Sequence, residues 1–209
     1  KQIEPHDTIA ELCDNLKRVC TPLLNMCTDM WMYIGYEWIM QIPKEGEDGS
    51  SAMPNKLNPI QFENAEANLL LCIMFCEFFA RELPRSRFER HLSDSSMLRN
   101  MGAMLGAFAI SCASISKGLS RSTPNKRVTV AVLESHPEVI SEAYQLILRR
   151  EGKAKAYDSL KDLTRGKPVT LKLLHGFARD QDVSAAVKKE MLALRPTNYL
   201  GIAEALAIY

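Results

Sequence analysis

The sequence predicts an all-α protein in which a bundle of long helices is followed by a smaller helical C-terminal domain. Apolar residues recur at helical spacing over three long stretches of the first 118 residues. After Ser120 the segments are shorter, and prolines and glycines separate them. Helices of about 24 residues span about 36 Å, the length scale of an extended bundle. We therefore expect two domains, residues 1–118 and residues 119–209.

The composition is that of a globular protein, with 46% hydrophobic and 24% charged residues. A net charge of +1 gives no global basis for binding nucleic acid or an anionic membrane surface. The longest apolar run, residues 69–80, is broken by Glu77 and falls short of the roughly 18 residues that a transmembrane helix needs. The chain opens on Lys1 without a secretory signal. We expect a cytoplasmic protein with no nucleic-acid or membrane partner, and we interpret the chain as a fragment.

The cysteines have the pattern of core residues. None of the six forms a Cys-x-x-Cys pair, and no histidine stands at zinc-finger spacing from them. Cys13, Cys20 and Cys27 repeat every seven residues, which places them on one helical face. Small buried hydrophobic residues in a reducing cytosol explain this pattern better than a disulfide or a metal site. No metal and no cofactor are expected.

Helical periodicity in the first half predicts three long helices. The first covers residues 7–41, with Pro22 kinking or splitting it, and the third covers residues 94–117. The third ends at a glycine, Gly118, which is a common residue just after a helix.

The second helix has a clear start signal and is expected to end near residue 82. Asn58 is the predicted N-cap, Pro59 the first helical residue and Gln61 the partner in a capping box. Apolar residues nearly encircle this helix, so we expect it to be buried on most sides. Glu63 and Glu66 then need a partner, either for structure or to orient a catalytic group.

The second half predicts shorter helices. The stretch RVTVAVLE is the least certain of them, because its β-branched alternation also suits a strand. The expected helices cover residues 126–134, 137–151, 154–165, 171–179, 183–194 and 198–208.

The stretch GSSAMPNKLNP, residues 49–59, combines groups that suit an anion site. Its glycine permits unusual backbone geometry, and Ser50 and Ser51 add hydroxyl groups with little bulk. Lys56 is cationic, and Asn58 stands at a helix start, where free N–H groups favour anions. A hydroxyl group in such a site could also transfer a proton. The alternative, a plain interhelical loop with a capping box, remains open at this point.

A second polar stretch, PRSRFERHLSDSSMLRN, covers residues 84–100. Arginine forks bind phosphate or carboxylate in a bidentate way, and serines at a helix start add donors. Arg90, Ser95 and Arg99 straddle the predicted helix start and are the better candidates. The first two arginines of the stretch are expected to be solvated charges.

These motifs resemble a known family. GSSAMPNKLNP is similar to the signature loop of the fumarase/aspartase superfamily, whose members release fumarate from their substrates. The flanking stretches resemble the C-terminal half of its bacterial-type adenylosuccinate lyase branch, and the resemblance runs nearly end to end. They are QIEPHD at 2–7, NPIQFENAEANL at 58–69, RFERHLSDSSMLRN at 87–100, LTRGKPV at 163–169 and RPTNYLGIA at 195–203.

The resemblance implies the cleavage of adenylosuccinate to AMP and fumarate, and the parallel cleavage of the succinyl-carboxamide ribotide (SAICAR) to AICAR. It implies that Ser50 is the general base, although the local sequence alone does not choose it over Ser51. Lys56 and Asn58 match residues that bind the succinyl carboxylates and stabilise the carbanion. Glu63 matches the glutamate that partners a catalytic histidine.

The remaining matched positions are substrate-binding. Ser51 and Met53 belong to the signature loop, and Gln2 matches a substrate-binding glutamine. Arg90, Ser95 and Arg99 match residues that contact the anionic groups of the substrate, including its phosphate. His91 stands where bacterial relatives commonly have Asp, which leaves the local pairing of Arg90 open.

The resemblance also implies a homotetramer whose active sites are shared between subunits. The general-acid histidine belongs to the N-terminal half of the family, which is not in this chain, so the chain alone is expected to be inactive. Two alternatives stay open. One is a sister enzyme of the argininosuccinate lyase or fumarase type, and the other is a non-catalytic helical scaffold.

Overall fold

The structure is a computed structural model that describes residues 3–43, 58–90, 92–153, 155–166 and 168–207. It confirms an all-α protein with long helices first and shorter helices after them. The chain divides into two compact units, Lys1–Asn125 and Lys126–Tyr209. The first unit extends beyond residue 118 because a short strand after the last long helix pairs back with an earlier strand.

The described residues of the first unit form three long helices, one short helix and a two-stranded antiparallel ribbon. Along the chain these are α1 (Asp7–Gly35), β1 (Ile39–Gln41), α2 (Ile60–Glu82), α3 (Asp94–Leu98), α4 (Met101–Ser120) and β2 (Ser122–Pro124).

The long helix α2 lies antiparallel to both α1 and α4. Trp31, near the end of α1, hydrogen-bonds to Glu63, near the start of α2. On the other side, the Ser111 hydroxyl group of α4 donates to the carbonyl oxygen of Ala65 at 3.1 Å. In the second half of α2 and near the start of α4, the thiol of Cys76 contacts the sulfur of Met104 at 3.5 Å.

Sulfur-containing side chains fill much of the core between these helices. Cys20 and Cys72 have their sulfur atoms 3.7 Å apart. Burial raises the pKa of the Cys20 thiol to about 12 and that of the Cys72 thiol to about 11, so both stay protonated. The prediction of small buried hydrophobic residues is confirmed for five cysteines and wrong for Cys112, which is exposed.

Two helix boundaries differ from the predictions. The first helix ends at Gly35, not near residue 41, because Glu37 adopts a left-handed backbone (φ 59°) and the chain then enters β1. Pro22 does not split α1. The predicted third helix is interrupted at Arg99 and Asn100, between α3 and α4.

The predicted capping box at the start of α2 is wrong. Pro59 occupies the N-cap position, and no side chain caps the helix. Instead, the carbonyl oxygen of Pro59 accepts from the N–H groups of Phe62 and Glu63 at 2.9 and 3.1 Å. Backbone bonding alone therefore starts the helix.

The expectation that α2 is buried on most sides is wrong for the single chain. Its buried side chains face α1 and α4, which lie on one side of it. The opposite side exposes 39 to 54% of each of its large apolar side chains, which are Ile60, Leu70, Leu71, Met74 and Phe78.

The second unit is a set of short helices around its own core. It contains α5 (Lys126–Ser135), a 3-10 helix (Pro137–Ile140), α6 (Ser141–Arg150), α7 (Ala156–Thr164), α8 (Leu171–Asp180), α9 (Ala185–Ala193) and α10 (Ala203–Leu206). RVTVAVLE is helical, within α5. The last helix is much shorter than the predicted range 198–208. Tyr144, Leu148, Leu174 and Met191 are fully buried in the core.

The stretch Asp94–Ser120 is long and apolar enough to cross a membrane by length and composition alone. That differs from the expectation based on apolar runs. A core helix of a globular protein meets the same criteria, and 33% of the apolar 18-residue segment within this stretch is buried. Met104, Ala107 and Ile115 are among the buried residues of α4.

Close packing at Gly118 yields a stability prediction for the full-length protein. A Cβ atom at this position would lie 2.8 Å from Cζ of Phe62, whose side chain is 1% exposed. The buried ring would have to shift, so Gly118→Ala is expected to destabilise the fold by about 1–3 kcal/mol. Differential scanning calorimetry measures this as a lower Tm.

Gly106→Ala is the matched control on the same helix. Nothing lies within 4 Å of its added Cβ atom, and alanine is the better helix former, so its Tm should hold or rise. Equal Tm values for the two variants would contradict the packing account.

Candidate active site

The structure describes half of the sequence-predicted site residues. Asn58, Glu63, Arg90, Ser95 and Arg99 lie in its described ranges, all in the first unit. The others lie outside the described residues, and they are Gln2, Ser50, Ser51, Met53 and Lys56.

Glu63 lies in the first turn of α2, five residues after the exposed Asn58. Its side chain is half-buried, and its Oε1 accepts a hydrogen bond from the indole Nε1 of Trp31 at 3.0 Å. A hydrogen bond of this kind fixes the orientation of the carboxylate. The carboxylate of Glu63 is therefore held in one orientation near the start of α2.

Trp31 is a site residue that the sequence reasoning missed. It stands on α1, 32 positions before Glu63, and it is 49% exposed. A tryptophan on a helical face is ordinarily an apolar packing residue, so its sequence position gave no signal of this bond. Only the antiparallel packing of α1 on α2 brings the pair together.

Glu66 is half-buried and lies one turn further along α2. Burial is the main cause of a raised pKa at the Cys27 thiol, to about 11, and the negative charge of Glu66 adds to it. Glu66 thus faces the α1 packing surface, and Glu63 is the carboxylate nearer the helix start.

The loop after α2 has an unusual backbone. Phe88 and Glu89 are both left-handed, with φ of 53° and 55°, which is unfavourable for residues with a Cβ atom. Two hydrogen bonds hold the turn. The Glu89 N–H donates to the hydroxyl oxygen of Ser86 at 2.9 Å, and the Arg90 N–H donates to the carbonyl oxygen of Arg87 at 3.1 Å. The backbone conformation of this loop determines the direction of the chain at Arg90, whose side chain is exposed.

Arg90, Ser95 and Arg99 are all exposed at this end of α2. The Ser95 hydroxyl group donates to the carbonyl oxygen of Leu92 at 3.1 Å. The lone pairs of the Ser95 oxygen remain available to accept a hydrogen bond. By contrast, Arg85 pairs with Glu82 at 2.6 Å and is 73% exposed, as expected for a solvated charge. Together with Arg81, it holds the pKa of Glu82 below its usual value through hydrogen bonds.

The two groups of candidate residues lie at opposite ends of α2. Glu63 is in the first turn, whereas the loop with Arg90 begins after Glu82, about 28 Å further along at 1.5 Å per residue. One small substrate cannot contact both groups within one chain. Within one chain, the residues near the start of α2 and the residues after its end therefore belong to two separate surfaces.

Metal ions need sets of ligating side chains that lie close together. Over the ranges that the structure describes, no group of three or more histidine, cysteine, aspartate or glutamate side chains could hold a metal ion.

Comparison with known proteins agrees with the arrangement of long helices. Residues 1–73 match the sequence model of a family described as Lyase. This stretch is therefore similar to members of the lyase class. Residues 86–200 match the model described as Adenylosuccinate lyase C-terminal, which covers more than half of the chain. The chain belongs to the adenylosuccinate lyase family.

Individual relatives agree. The chain is 41% identical over 204 residues to an adenylosuccinate lyase of Dictyostelium discoideum, 40% over 205 residues to one of Buchnera aphidicola and 41% over 200 residues to one of Escherichia coli. These alignments cover 96 to 98% of this chain. The chain spans only 44 to 45% of the length of the relatives.

The indole bond to Glu63 gives a testable prediction. In the full-length protein, Trp31→Phe keeps an aromatic ring on α1 but removes the donor to the carboxylate. A hydrogen bond to a charged group is worth enough to change turnover about tenfold when it is lost, so kcat should fall by about that factor.

Trp38→Phe is the matched control, because Trp38 stacks on Tyr33 and Tyr36 and is not hydrogen-bonded to Glu63. Steady-state kinetics on both variants make the measurement. Equal kcat values for the two variants would show that the Trp31 bond has no part in catalysis.

Proposed function

We propose that the full-length protein is an adenylosuccinate lyase that releases fumarate from adenylosuccinate to give AMP, and from SAICAR to give AICAR. The observation that carries the proposal is identity of about 40% to curated adenylosuccinate lyases across nearly the whole chain. The presence of every matched polar residue, from Gln2 to Arg99, supports it.

In the proposed reaction, Ser50 takes the proton from the succinyl carbon next to a carboxylate. The electron pair left on that carbon forms the double bond of fumarate as the C–N bond breaks, and the nitrogen leaves protonated by an acid outside this chain. Lys56 and Asn58 hold the carboxylates and stabilise the carbanion between these steps. Serine is a weak base in water, so the signature loop, residues 43–58, is proposed to supply a cationic, water-free environment for Ser50.

The other residues position the substrate. Glu63, held by Trp31, orients the catalytic histidine supplied by another part of the assembly. Arg90, Ser95 and Arg99 bind the phosphate end. Gln2, Ser51 and Met53 complete the binding surface.

The proposed assembly is a homotetramer in the cytoplasm, with each site built from several chains. Two observations support this assembly. About 28 Å of helix separates Glu63 from the Arg90 loop, so residues from both ends meet at one substrate only if different chains supply them. The uncovered side of α2 exposes large apolar side chains from Ile60 to Phe78, as an unburied helix-packing surface would.

Replacement of Ser50 tests the reaction. In the full-length protein, Ser50→Ala is expected to lower kcat for fumarate release from adenylosuccinate by about 10² to 10⁴, the usual contribution of a general base. Ser51→Ala is the matched control and should lose far less activity. The appearance of fumarate is followed by its absorbance.

Unchanged turnover in Ser50→Ala would remove Ser50 as the base. If the unaltered full-length tetramer releases no fumarate from either succinyl substrate, the proposed function is wrong, and a sister substrate or a scaffold role replaces it.

Mixing of variants tests the shared site. Glu63→Gln and Arg99→Ala should each be nearly inactive alone. After the two are dissociated together and reassembled in equal amounts, about a quarter of sites would combine an intact Glu63 from one chain with an intact Arg99 from another. Activity should therefore return.

A mixture of Arg90→Ala and Arg99→Ala is the matched control, because both positions lie at the same end of α2. It should recover nothing. Equal behaviour of the two mixtures would contradict a site shared between chains.

A further inference from the structure

His6 is the residue just before α1. Its side chain, its backbone N–H and its carbonyl oxygen each make a hydrogen bond. His6 is 8% exposed, and its Nε2 lies 3.0 Å from Oδ2 of Asp94, at the start of α3. Its backbone N–H donates to Oε1 of Glu4 at 3.1 Å, and its carbonyl oxygen accepts from the N–H of Ala10 at 3.0 Å. The side chain thus joins two segments that are 88 positions apart.

The conformation and burial of His6 are unfavourable for folding, and a role in starting α1 does not explain them. The backbone is left-handed, with φ 58° and ψ 19°, and the side chain makes no cap bond to α1. The ring Nδ1 is buried without a hydrogen-bond partner in the described part of the chain. Both features are unfavourable for folding. The favourable side-chain contact of His6 is the bond from Nε2 to Asp94, whose side chain is only 30% exposed.

This bond lies at a small cavity where three segments of the first unit meet. The cavity has a volume of about 120 Å³. Its wall includes Ile3 and His6 from the start of the chain, Glu89 from the strained loop and Asp94 from α3. Contacts around the cavity set the spacing of the three segments.

Two of these segments carry a predicted substrate-binding residue next to the cavity wall. Arg90 follows Glu89 and Ser95 follows Asp94 in the sequence. Consecutive Cα atoms are about 3.8 Å apart, so a shift of one wall moves the binding residue attached to it. The His6–Asp94 bond is the direct polar link between the first and third segments.

We propose that His6 is a positioning residue for the substrate's nucleotide end: its bond to Asp94 fixes the chain start against the segment that carries Ser95. The inference rests on the proposed function. His6 touches no reacting atom, and the elimination takes place at the succinyl end of the substrate. Loss of the bond should therefore weaken substrate binding and leave the chemical step unchanged.

Two substitutions at His6 in the full-length tetramer separate the bond from the backbone. His6→Asn tolerates the left-handed backbone but ends near the position of Nδ1, too short to reach Asp94. His6→Gln places an amide N–H near the position of Nε2. We expect His6→Asn to raise KM for adenylosuccinate about tenfold or more with kcat unchanged, because a charge-assisted hydrogen bond is lost. His6→Gln should recover most of the wild-type KM.

Asp94→Ala provides the second probe, because it removes the other partner of the bond, at a partly exposed position. It should raise KM by a similar factor, and adding His6→Asn to it should change KM little further, because both changes break the same bond. His136→Asn is the matched control, since His136 is an exposed histidine that also pairs with a carboxylate, that of Glu138.

The outcomes are distinct. An unchanged KM in His6→Asn and in Asp94→Ala overturns the inference, as does a lower kcat and Tm with unchanged KM, which is the mark of a purely structural contact. Independent, additive effects of the two substitutions overturn it as well. If the unaltered tetramer releases no fumarate, the proposed function is wrong and this inference falls with it.

Discussion

The length and rigidity of α2 constrain the whole first unit. Its 23 residues, Ile60–Glu82, run about 34 Å without a break, and α1 and α4 lie antiparallel along one side of it. Every candidate site residue in the described part of this unit is then fixed to one end or the other. The carboxylate of Glu63 is held at the start of α2, and the arginine-bearing loop and α3 are held at its end.

The same helix explains why the unit looks incomplete. A helix with apolar residues around most of its circumference needs packing partners on several sides. Within one chain, α1 and α4 cover the side with Phe62, Leu69 and Phe79, and the side with Leu70 and Met74 stays exposed. The proposed tetramer would bury that side and would also bring opposite ends of α2 from different chains together. One geometric property of the chain thus serves both assembly and the proposed site.

Sequence periodicity was sufficient to predict the helices, because α2 and α4 repeat apolar residues over many turns. It failed where distant parts of the chain decide the structure. β1 forms only because Ile39–Gln41 pairs with Ser122–Pro124, and the bonds Trp31–Glu63 and His6–Asp94 join residues 32 and 88 positions apart. The capping box failed because Pro59 starts α2 through its carbonyl oxygen. The chemical roles of Ser50 and Lys56 came from the family resemblance, since the local residues also suit a plain loop.

The most direct test of the account is a cryo-EM structure of the full-length assembly with AMP and fumarate bound. The measured quantity is the chain identity of the Glu63 and Arg99 side chains nearest to a single pair of products. The account predicts that the two side chains come from different chains, because about 28 Å of helix separates their ends within one chain. Products whose nearest Glu63 and Arg99 side chains belong to the same chain would contradict it.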